Sequence, residues 1–453
     1  LASPASVPIS SGGGGADDKQ LVAYVVERDD EDLNPPDGDA SSAAVINNVP
    51  NTNTSSAAVI NDDLAEAEAW GAVYDEAYAA RDALDESDPS LNFSGYGDSY
   101  TPGKVHEPDV VREWVETICE RIMALRPKRA LELGCGNGMI LLRVAKACEA
   151  YVGTDLSKNA VEYVRDVVTS HPDFLLPHVS LDIAGAHEAT RFEEHDLDVV
   201  VCNGVSMYFP SADYLASVVK NALSAVTPGG HFFLGDVRNN ELLTHFHASV
   251  RCHIASDETP FAEYVSIARN ALKHEKEFLV DPAAFLAMAR ATNGILPASL
   301  CDRVKIDMRR GYHRSEFGMY RYDVLFRRSH VEGDSSSDSN CRREEQKRLG
   351  GATYALIEWD GASKGVEWLA AVETRLTTPG GGAPDYLAFA GVPDARLTRE
   401  EILTREVELE IELRDESRGR LDTVGDLRRR IATLVAAFEP FAVEPEDVYR
   451  LGE

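Results

Sequence analysis

The sequence lacks the features that would assign it at once to a membrane, nucleic-acid-binding or disulfide-rich class. It has no CxxC pair, no long run of Lys and Arg, and no apolar run near the roughly 20 residues that span a bilayer. Its formal net charge of −31 repels polyanions, so neither nucleic acid nor an acidic membrane is an expected partner. These absences favour a globular protein that acts on a small or basic substrate.

Cysteine is scarce, with seven residues that are odd in number and scattered along 453 positions. Several stand inside apolar segments, which predicts reduced core thiols in a cytoplasmic protein. No metal-ligand spacing is present either, because the HFH triplet at 245–247 and scattered acids do not make a site. We therefore predict no metal. The chain begins with Leu1 rather than Met, so we expect a piece of a longer protein.

Composition changes along the chain predict five segments. With 44% apolar residues the chain can fill the cores of two or three domains. A low-complexity linker is expected where SSAAVIN occurs twice, at 41–47 and 55–61. The predicted segments are 1–31 with one unpaired strand over Leu21–Val26, the linker 32–62, a central domain 63–330, a polar linker 331–346, and a small α/β lobe 347–453.

The central segment alternates between predicted strands and helices. Helices are expected at 109–125, 139–147, 158–168 and 212–226, and strands at 129–133, 151–154, 179–183, 197–202 and 231–234, the last after a TPGG turn. Such alternation predicts a doubly wound parallel sheet covered by helices on both faces. Ligands bind such sheets at the carboxyl ends of the strands.

The glycine-rich stretch LELGCGNG (131–138) indicates the ligand. A dinucleotide site needs GxGxxG, whereas Gly134, Gly136 and Gly138 form GxGxG, and Glu132 before them would repel a pyrophosphate. Asp155, at the end of the next strand, is placed to accept hydrogen bonds from both hydroxyls of a ribose, and Leu156 could cover an adenine. A cofactor with ribose and adenine but no phosphate meets these conditions. The pattern therefore predicts S-adenosylmethionine and argues against a nicotinamide dehydrogenase.

The motifs LELGCGNG, YVGTDLS and TPGGHFFLGDV resemble those of class I S-adenosylmethionine-dependent methyltransferases over about residues 64–326. Within that class, CNGVSMYFPSADYL (202–215) and EFGMYRYDVLF (316–326) are similar to methyltransferase domains embedded in nonribosomal peptide synthetases. The flanks agree, since DKQLVAYVVERDD is similar to the end of an adenylation core and AFAGVPDARLTREEIL (388–403) to its small C-terminal lobe. The resemblance implies a seven-stranded Rossmann-like sheet, with residues 1–31 as a remnant of the adenylation domain.

The family chemistry implies methyl transfer to the backbone amine of an aminoacyl or peptidyl thioester on a carrier protein. Adjacent adenylation and carrier domains are then the expected partners. Cofactor binding is expected from Glu132, Gly134, Cys135, Gly136, Asn137, Gly138, Asp155, Leu156, Asp182, Ile183 and Asn203. Catalytic roles are expected from Asn203, Tyr208, Asp236, Arg238 and His247, with His245, Tyr312, His313 and Glu316 as further candidates.

Alternatives stay open at the acceptor. Relatives carry Ser and Gln where this chain has Gly204 and Met207, and Asn where it has Ser315. Losing a side-chain amide there leaves a hydroxyl or carbon acceptor possible, on a tethered or a free small molecule, and a noncatalytic cofactor-binding module is the remaining alternative. The segment 240–290 predicts a helical lid that excludes water and shapes the acceptor site.

Overall fold

The computed structural model describes residues 20–21, 57–79, 88–92, 96–289, 296–297, 299–309, 311–330, 354–358, 365–367, 369–371, 386–390, 394–412 and 421–443. The chain divides into two compact units. The sheet unit contains Ser41–Leu242 and Glu275–Val331, and the tail unit contains Leu1–Ala40, Leu243–His274 and Glu332–Glu453.

The described strands are β1 (Gln20–Leu21), β2 (Arg129–Leu133), β3 (Ala150–Asp155), β4 (Val179–Ile183), β5 (Leu197–Asn203), β6 (Val226–Arg238), β7 (Cys301–Met308), β8 (Arg321–Arg328), β9 (Tyr354–Glu358) and β10 (Tyr386–Ala390). The described α-helices are α1 (Ala57–Ala79), α2 (Pro108–Ala124), α3 (Leu141–Val144), α4 (Lys158–Ser170), α5 (Ala212–Ala225), α6 (Leu243–Ile254), α7 (Phe261–Lys273), α8 (Pro282–Met288), α9 (Glu316–Met319), α10 (Thr398–Glu412) and α11 (Val424–Phe438).

The sheet unit is built on a seven-stranded sheet with the order β4-β3-β2-β5-β6-β8-β7. Strands β2 to β6 pair in parallel, as the alternation predicted. Strand β8 instead runs antiparallel between β6 and β7. The predicted α/β fold with seven strands is confirmed, and the sheet is mixed rather than wholly parallel.

Both faces of this sheet are covered by apolar helices, and strand β5 shows why. Its side chains alternate, so Val199 and Val201 join one core cluster together with residues of α2, while Val200 and Cys202 join another with residues of α5. Successive residues of a strand point to opposite faces, and a central strand buried on both faces is therefore apolar throughout.

Three elements of the sheet unit differ from the prediction by more than two residues. Helix α1 begins at Ala57, inside the stretch predicted as a linker. The TPGG segment predicted as a turn lies within β6, whose pairing with β5 is irregular between Leu197 and Val199. The helix expected over 139–147 consists of α3 followed by a 3₁₀ turn at Ala145–Ala147.

The tail unit combines a small sheet with helices. Strands β1, β10 and β9 form a parallel three-stranded sheet, in which β1 pairs with a strand remote in the sequence, and residues 22–26 lie outside the described residues. Helices α6 and α7 belong to this unit, where Tyr264 packs in one cluster with Leu403 of α10 and Leu427 of α11. The segment predicted as a lid is therefore helical, and α6 and α7 pack with the C-terminal helices.

The six described cysteines are buried and form no disulfide, and Cys341 lies outside the described residues. In the described part of the chain, every helix is too short or too polar to span a bilayer.

Candidate active site

A cavity of about 350 Å³ opens in the sheet unit at the carboxyl ends of the parallel strands. Glu132, Asp155, Asn203 and Asp236 line it, and they stand at the ends of β2, β3, β5 and β6. Because parallel strands end at the same edge of the sheet, residues far apart in the chain meet there. We call Glu132, Gly134, Gly136, Asp155 and Asn203 the glycine-turn side, and Trp114, Asp236, Glu316 and Arg321 the ion-pair side.

The glycine turn follows β2 directly and is held by the main chain. Gly134, Gly136 and Gly138 have φ angles of +76°, +49° and +79°, a region that favours glycine. The N–H groups of Gly134 and Cys135 both donate to the carbonyl of Thr154 at 2.8 Å. A Cβ atom on Gly134 would lie 2.5 Å from Cγ2 of Val205, so this position has neither the backbone conformation nor the space for a side chain.

Asp155 connects the turn to the end of β3. Its carboxylate accepts the N–H of Gly136 at 2.8 Å and the N–H of Ser157 at 2.8 Å. Burial raises the pKa of Asp155, while these backbone hydrogen bonds oppose the rise. Both carboxylate oxygens are thus held in place, and each retains a lone pair for a ligand.

Glu132 is a buried carboxyl group on the cavity wall, with 2% of its surface exposed. The hydroxyl of Tyr151 donates to its Oε2 at 2.8 Å. Burial raises the pKa of Glu132 to about 8, against the opposing effect of the Tyr151 hydrogen bond. The group is therefore mostly neutral at pH 7 while no cation lies beside it.

Asn203 is the unsatisfied polar group of the glycine-turn side. Its side-chain nitrogen and oxygen are both buried without a hydrogen-bond partner among the described residues, and the residue is only 8% exposed. An amide buried without a partner costs about 1–3 kcal/mol. A ligand with a donor and an acceptor could satisfy both atoms.

Asp236 is the centre of the ion-pair side and is 1% exposed. Trp114 Nε1–H donates to its Oδ1 at 3.0 Å, and Arg321 donates to its Oδ2 at 2.6 Å. Its φ of +60° is unusual for a residue other than glycine, and the register of β6 against β8 shifts at this point. The irregularity turns the Asp236 side chain toward the cavity, and these bonds hold it there.

Buried charges behind Asp236 complete the network. Its N–H donates to Oδ1 of Asp323 at 2.8 Å, and Arg309 donates to both oxygens of Asp323 at 3.0 and 3.1 Å. Burial alone would raise the pKa of Asp323, but the charges of Arg309 and Arg121 lower it below its ordinary value. Asp236 is thus fixed through its backbone as well as through its carboxylate.

Helix α1 supplies an aromatic wall. The rings of Trp70 and Tyr74 lie 4.9 and 5.1 Å from the ring of Tyr208, and a Cβ atom on Gly136 would lie 3.1 Å from the Tyr78 hydroxyl. Asp75 ties the helix down, since its carboxylate accepts the hydroxyl of Ser157 at 2.7 Å and the N–H of Asn159 at 2.9 Å.

Most residues predicted from the sequence line this cavity, but some do not. Those on its wall are Glu132, Gly134, Cys135, Gly136, Asp155, Leu156, Asn203, Tyr208 and Asp236, and Glu316 from the further candidates. Those outside the lining are Asn137, Gly138, Asp182, Ile183, Arg238, His245, His247, Tyr312 and His313.

The residues outside the lining have other contacts. Arg238 pairs with Glu275 at 3.1 Å and with Glu277 at 2.7 Å. Asp182 accepts from the exposed Arg191 at 2.9 Å. His245 and His247 lie on α6 in the tail unit, and the N–H groups of Tyr312 and His313 donate to Glu113.

Sequence reasoning missed the aromatic wall and the arginine of the ion-pair side. Trp70, Tyr74 and Tyr78 recur every four residues in WGAVYDEAY, a spacing that places them on one face of a helix. That signal was available. No sequence pattern indicates a site role for Arg321, because only the antiparallel placement of β8 beside β6 brings it to Asp236.

Among the described residues, no group of three or more His, Cys, Asp or Glu side chains is arranged to hold a metal ion.

Comparisons with known proteins agree with this geometry. Residues 131–232 match the model of a methyltransferase domain family. The chain is 38% identical over 245 residues to chondramide synthase of Chondromyces crocatus, covering 53% of this chain and 6% of that protein. It is 33% identical over 235 residues to a nonribosomal peptide synthetase of Alternaria alternata, covering 52% and 4%, and 29% identical over 278 residues to enniatin synthase of Fusarium equiseti, covering 59% and 9%.

The chain thus spans less than a tenth of the length of these relatives. A solved magnesium protoporphyrin IX methyltransferase from Synechocystis is 15% identical with a TM-score of 0.33, over 51% of this chain and 91% of that one, a likeness that carries no argument about function. From the matching sequences, the chain contains an S-adenosylmethionine-dependent methyltransferase domain, and it is similar to segments of nonribosomal peptide synthetases.

Proposed function

We propose that this chain transfers a methyl group from S-adenosylmethionine to the backbone amine of an aminoacyl or peptidyl thioester carried on a carrier protein during nonribosomal peptide synthesis. The observation that carries the proposal is the charge of the cavity. Five carboxyl groups line it, those of Glu132, Asp155, Asp236, Glu277 and Glu316, against the single guanidinium of Arg321. Such a lining favours cations, and both a sulfonium donor and an ammonium acceptor are cationic.

The glycine-turn side fits the donor. Asp155 keeps lone pairs for ribose hydroxyls. The carboxamide of Asn203 offers a donor and an acceptor that hydrogen-bond to no other described residue. Glu132 would ionise beside a positive charge. When bound, S-adenosylmethionine supplies an electrophilic methyl group on a sulfonium.

In this proposal, residues of the chain orient the acceptor and exclude water from around it. Tyr208 lines the cavity, and burial raises its pKa, so its hydroxyl stays protonated and can donate a hydrogen bond. The aromatic wall of α1 excludes water around it, which strengthens every polar contact in the site. Holding the acceptor nitrogen in line with the methyl group is the main catalytic requirement.

A hydroxyl or carbon acceptor is the second candidate, and Met207 favours it. This residue lines the cavity and is 3% exposed, in a turn where the family resemblance leads one to expect a side-chain amide. An apolar side chain at this position offers no hydrogen-bond partner to an amide or amine of the acceptor.

The test uses the full 453-residue chain with a carrier protein loaded with an amino acid. Calorimetry should detect S-adenosylmethionine binding, and fragmentation mass spectrometry should place one methyl group on the backbone nitrogen. A methyl group on oxygen or carbon would support the second candidate. Binding without any methylated product would support a noncatalytic cofactor-binding module.

A further inference from the structure

We propose that Oε2 of Glu316 is the binding point for the acceptor's ammonium group, and that Glu316 is the residue that selects amines over hydroxyl and carbon acceptors. This inference rests on the proposed function and adds to it the residue that reads the charge of the substrate. Glu316 lies at the start of α9, lines the cavity and is 6% exposed.

The two oxygens of Glu316 are used unequally. Arg321 donates to Oε1 at 3.3 Å, and Nε2 of His106 lies 3.4 Å from the same atom. Oε2 is buried and has no hydrogen-bond partner among the described residues. The hydroxyl of Ser99 is near enough to favour the ionised carboxyl, without reaching hydrogen-bond geometry at Oε2. One oxygen is thus anchored, and the other remains open.

The carboxyl group is ionised at neutral pH. Burial alone would raise the pKa of Glu316, but the His106 hydrogen bond and the Arg321 charge outweigh it, so the pKa lies below its ordinary value. A buried carboxylate oxygen without a donor is costly, and a charged donor relieves this cost better than a neutral one.

Arg321 keeps this oxygen in place. Its guanidinium bonds both Glu316 and Asp236 and lies 4.8 Å from the centre of the Phe317 ring. The carboxylate of Glu316 is therefore held from two directions, by Arg321 and by His106, and cannot turn its open oxygen away.

Among possible acceptors, an ammonium matches this oxygen best. It offers N–H donors and a positive charge. A hydroxyl offers one donor and no charge, and a carbon acceptor offers no donor of comparable strength. The expected ligand is therefore the protonated primary amine of an aminoacyl thioester. It binds as the ammonium and gives up one proton to Oε2 before its nitrogen lone pair attacks the methyl group.

The experiment compares Glu316→Gln with the unchanged full chain on an aminoacyl thioester and on the hydroxyacyl thioester of the same side chain. The change keeps the size of the side chain and removes its charge. For the aminoacyl substrate we expect kcat/KM to fall about 10- to 100-fold, the size of one charge-assisted hydrogen bond. For the hydroxyacyl substrate it should stay within about threefold, and the Kd of S-adenosylmethionine should not change. Glu162→Gln, an exposed glutamate on α4, is the matched control.

An equal loss on both substrates, or no loss on the amine, would overturn the inference. If Glu316→Gln does not fold, the unchanged protein still tests it, since it must bind the aminoacyl thioester more tightly than its N-acetylated, neutral form. The two failures are distinguishable. N-methylation of the aminoacyl thioester by the unchanged chain, together with an undiminished kcat/KM in Glu316→Gln, removes only the role of Glu316 as the amine site. Absence of N-methylation by the unchanged chain, including methylation of hydroxyacyl thioesters alone, removes the proposed function itself.

Discussion

The two sides of the cavity are built in opposite ways. Four of the five residues of the glycine-turn side come from one stretch, 132–155, and its geometry is set by main-chain hydrogen bonds and positive φ angles. The ion-pair side joins side chains from remote segments, with 122 residues between Trp114 and Asp236 and 85 between Asp236 and Arg321. Backbone geometry therefore defines the proposed donor side, and buried charge pairing defines the proposed acceptor side.

The largest expected effect is on the ion-pair side. Arg321→Met should lower the free energy of unfolding by about 3–5 kcal/mol, because it removes the cation that bonds the buried Asp236 and Glu316 and leaves only the more distant Arg309, at 4.0 Å, beside Asp236. Urea unfolding of the full chain measures this loss. The double variant with Asp236→Asn should recover part of it, whereas Lys158→Met, in an exposed pair, should cost under about 1 kcal/mol. A loss that small for Arg321→Met would show that the network contributes little to stability.

On the glycine-turn side, Gly134→Ala should weaken S-adenosylmethionine binding by at least about 100-fold, since a strained backbone conformation costs about 1–3 kcal/mol before the collision with Val205 is added. Calorimetry measures the affinity. Adding Val205→Ala removes the collision but not the φ strain, so partial recovery separates the two causes. Unchanged affinity in the single variant would contradict a turn shaped by its backbone.

Asp155→Ala tests the ribose assignment. We expect about a 100-fold loss of affinity for S-adenosylmethionine. The N–H groups of Gly136 and Ser157 lose their carboxylate acceptor, and the ribose hydroxyls of the ligand lose theirs. Asp155→Asn keeps one acceptor oxygen and should lose less. If Asp155→Ala binds the cofactor as tightly as the unchanged chain, Asp155 does not hold the ribose.

The raised pKa of Glu132 predicts that the affinity for S-adenosylmethionine depends on pH. Because the raised pKa of about 8 belongs to the ligand-free protein, a cationic ligand must displace a proton below that pH. Affinity for S-adenosylmethionine should therefore rise with pH by up to about tenfold per unit and level off above pH 8. The free energy of unfolding of the ligand-free protein falls over the same increase in pH, because burial disfavours the ionised form of Glu132. Glu132→Gln should remove this proton release in calorimetry, and an unchanged release would exclude Glu132 as its source.

The smallest expected effect is at Tyr208, which lines the cavity beside the aromatic wall of α1. Tyr208→Phe should lower kcat about 3- to 10-fold, the value of one neutral hydrogen bond, and leave the affinity for S-adenosylmethionine intact. Turnover and calorimetry are measured on the same preparation. Loss of both properties would instead indicate that Tyr208 is structural.

Local pattern predicted the elements of the chain better than their placement. The bounds of β2 and β4 agree with the prediction, because each has a strong apolar period bounded by turn residues. Helix α1 was not predicted, and its first residues, 57–62, lie in a repeated segment that looks like linker. Helices α6 and α7 were predicted, but their partners α10 and α11 lie more than a hundred residues further along the chain, beyond the reach of periodicity.

The sequence by itself determined the class of the cofactor site, because a glycine turn between two acidic strand ends is a contiguous feature whose backbone needs can be read residue by residue. The alternation of strands and helices also predicted an α/β domain around this turn, and the family resemblance implied its seven strands. Only the tertiary structure decided that Arg321 lies between Asp236 and Glu316, that α1 closes the wall, and that Arg238 pairs elsewhere. These contacts depend on strand order and on a register shift in β6, which arise when remote segments pack and leave no local signal.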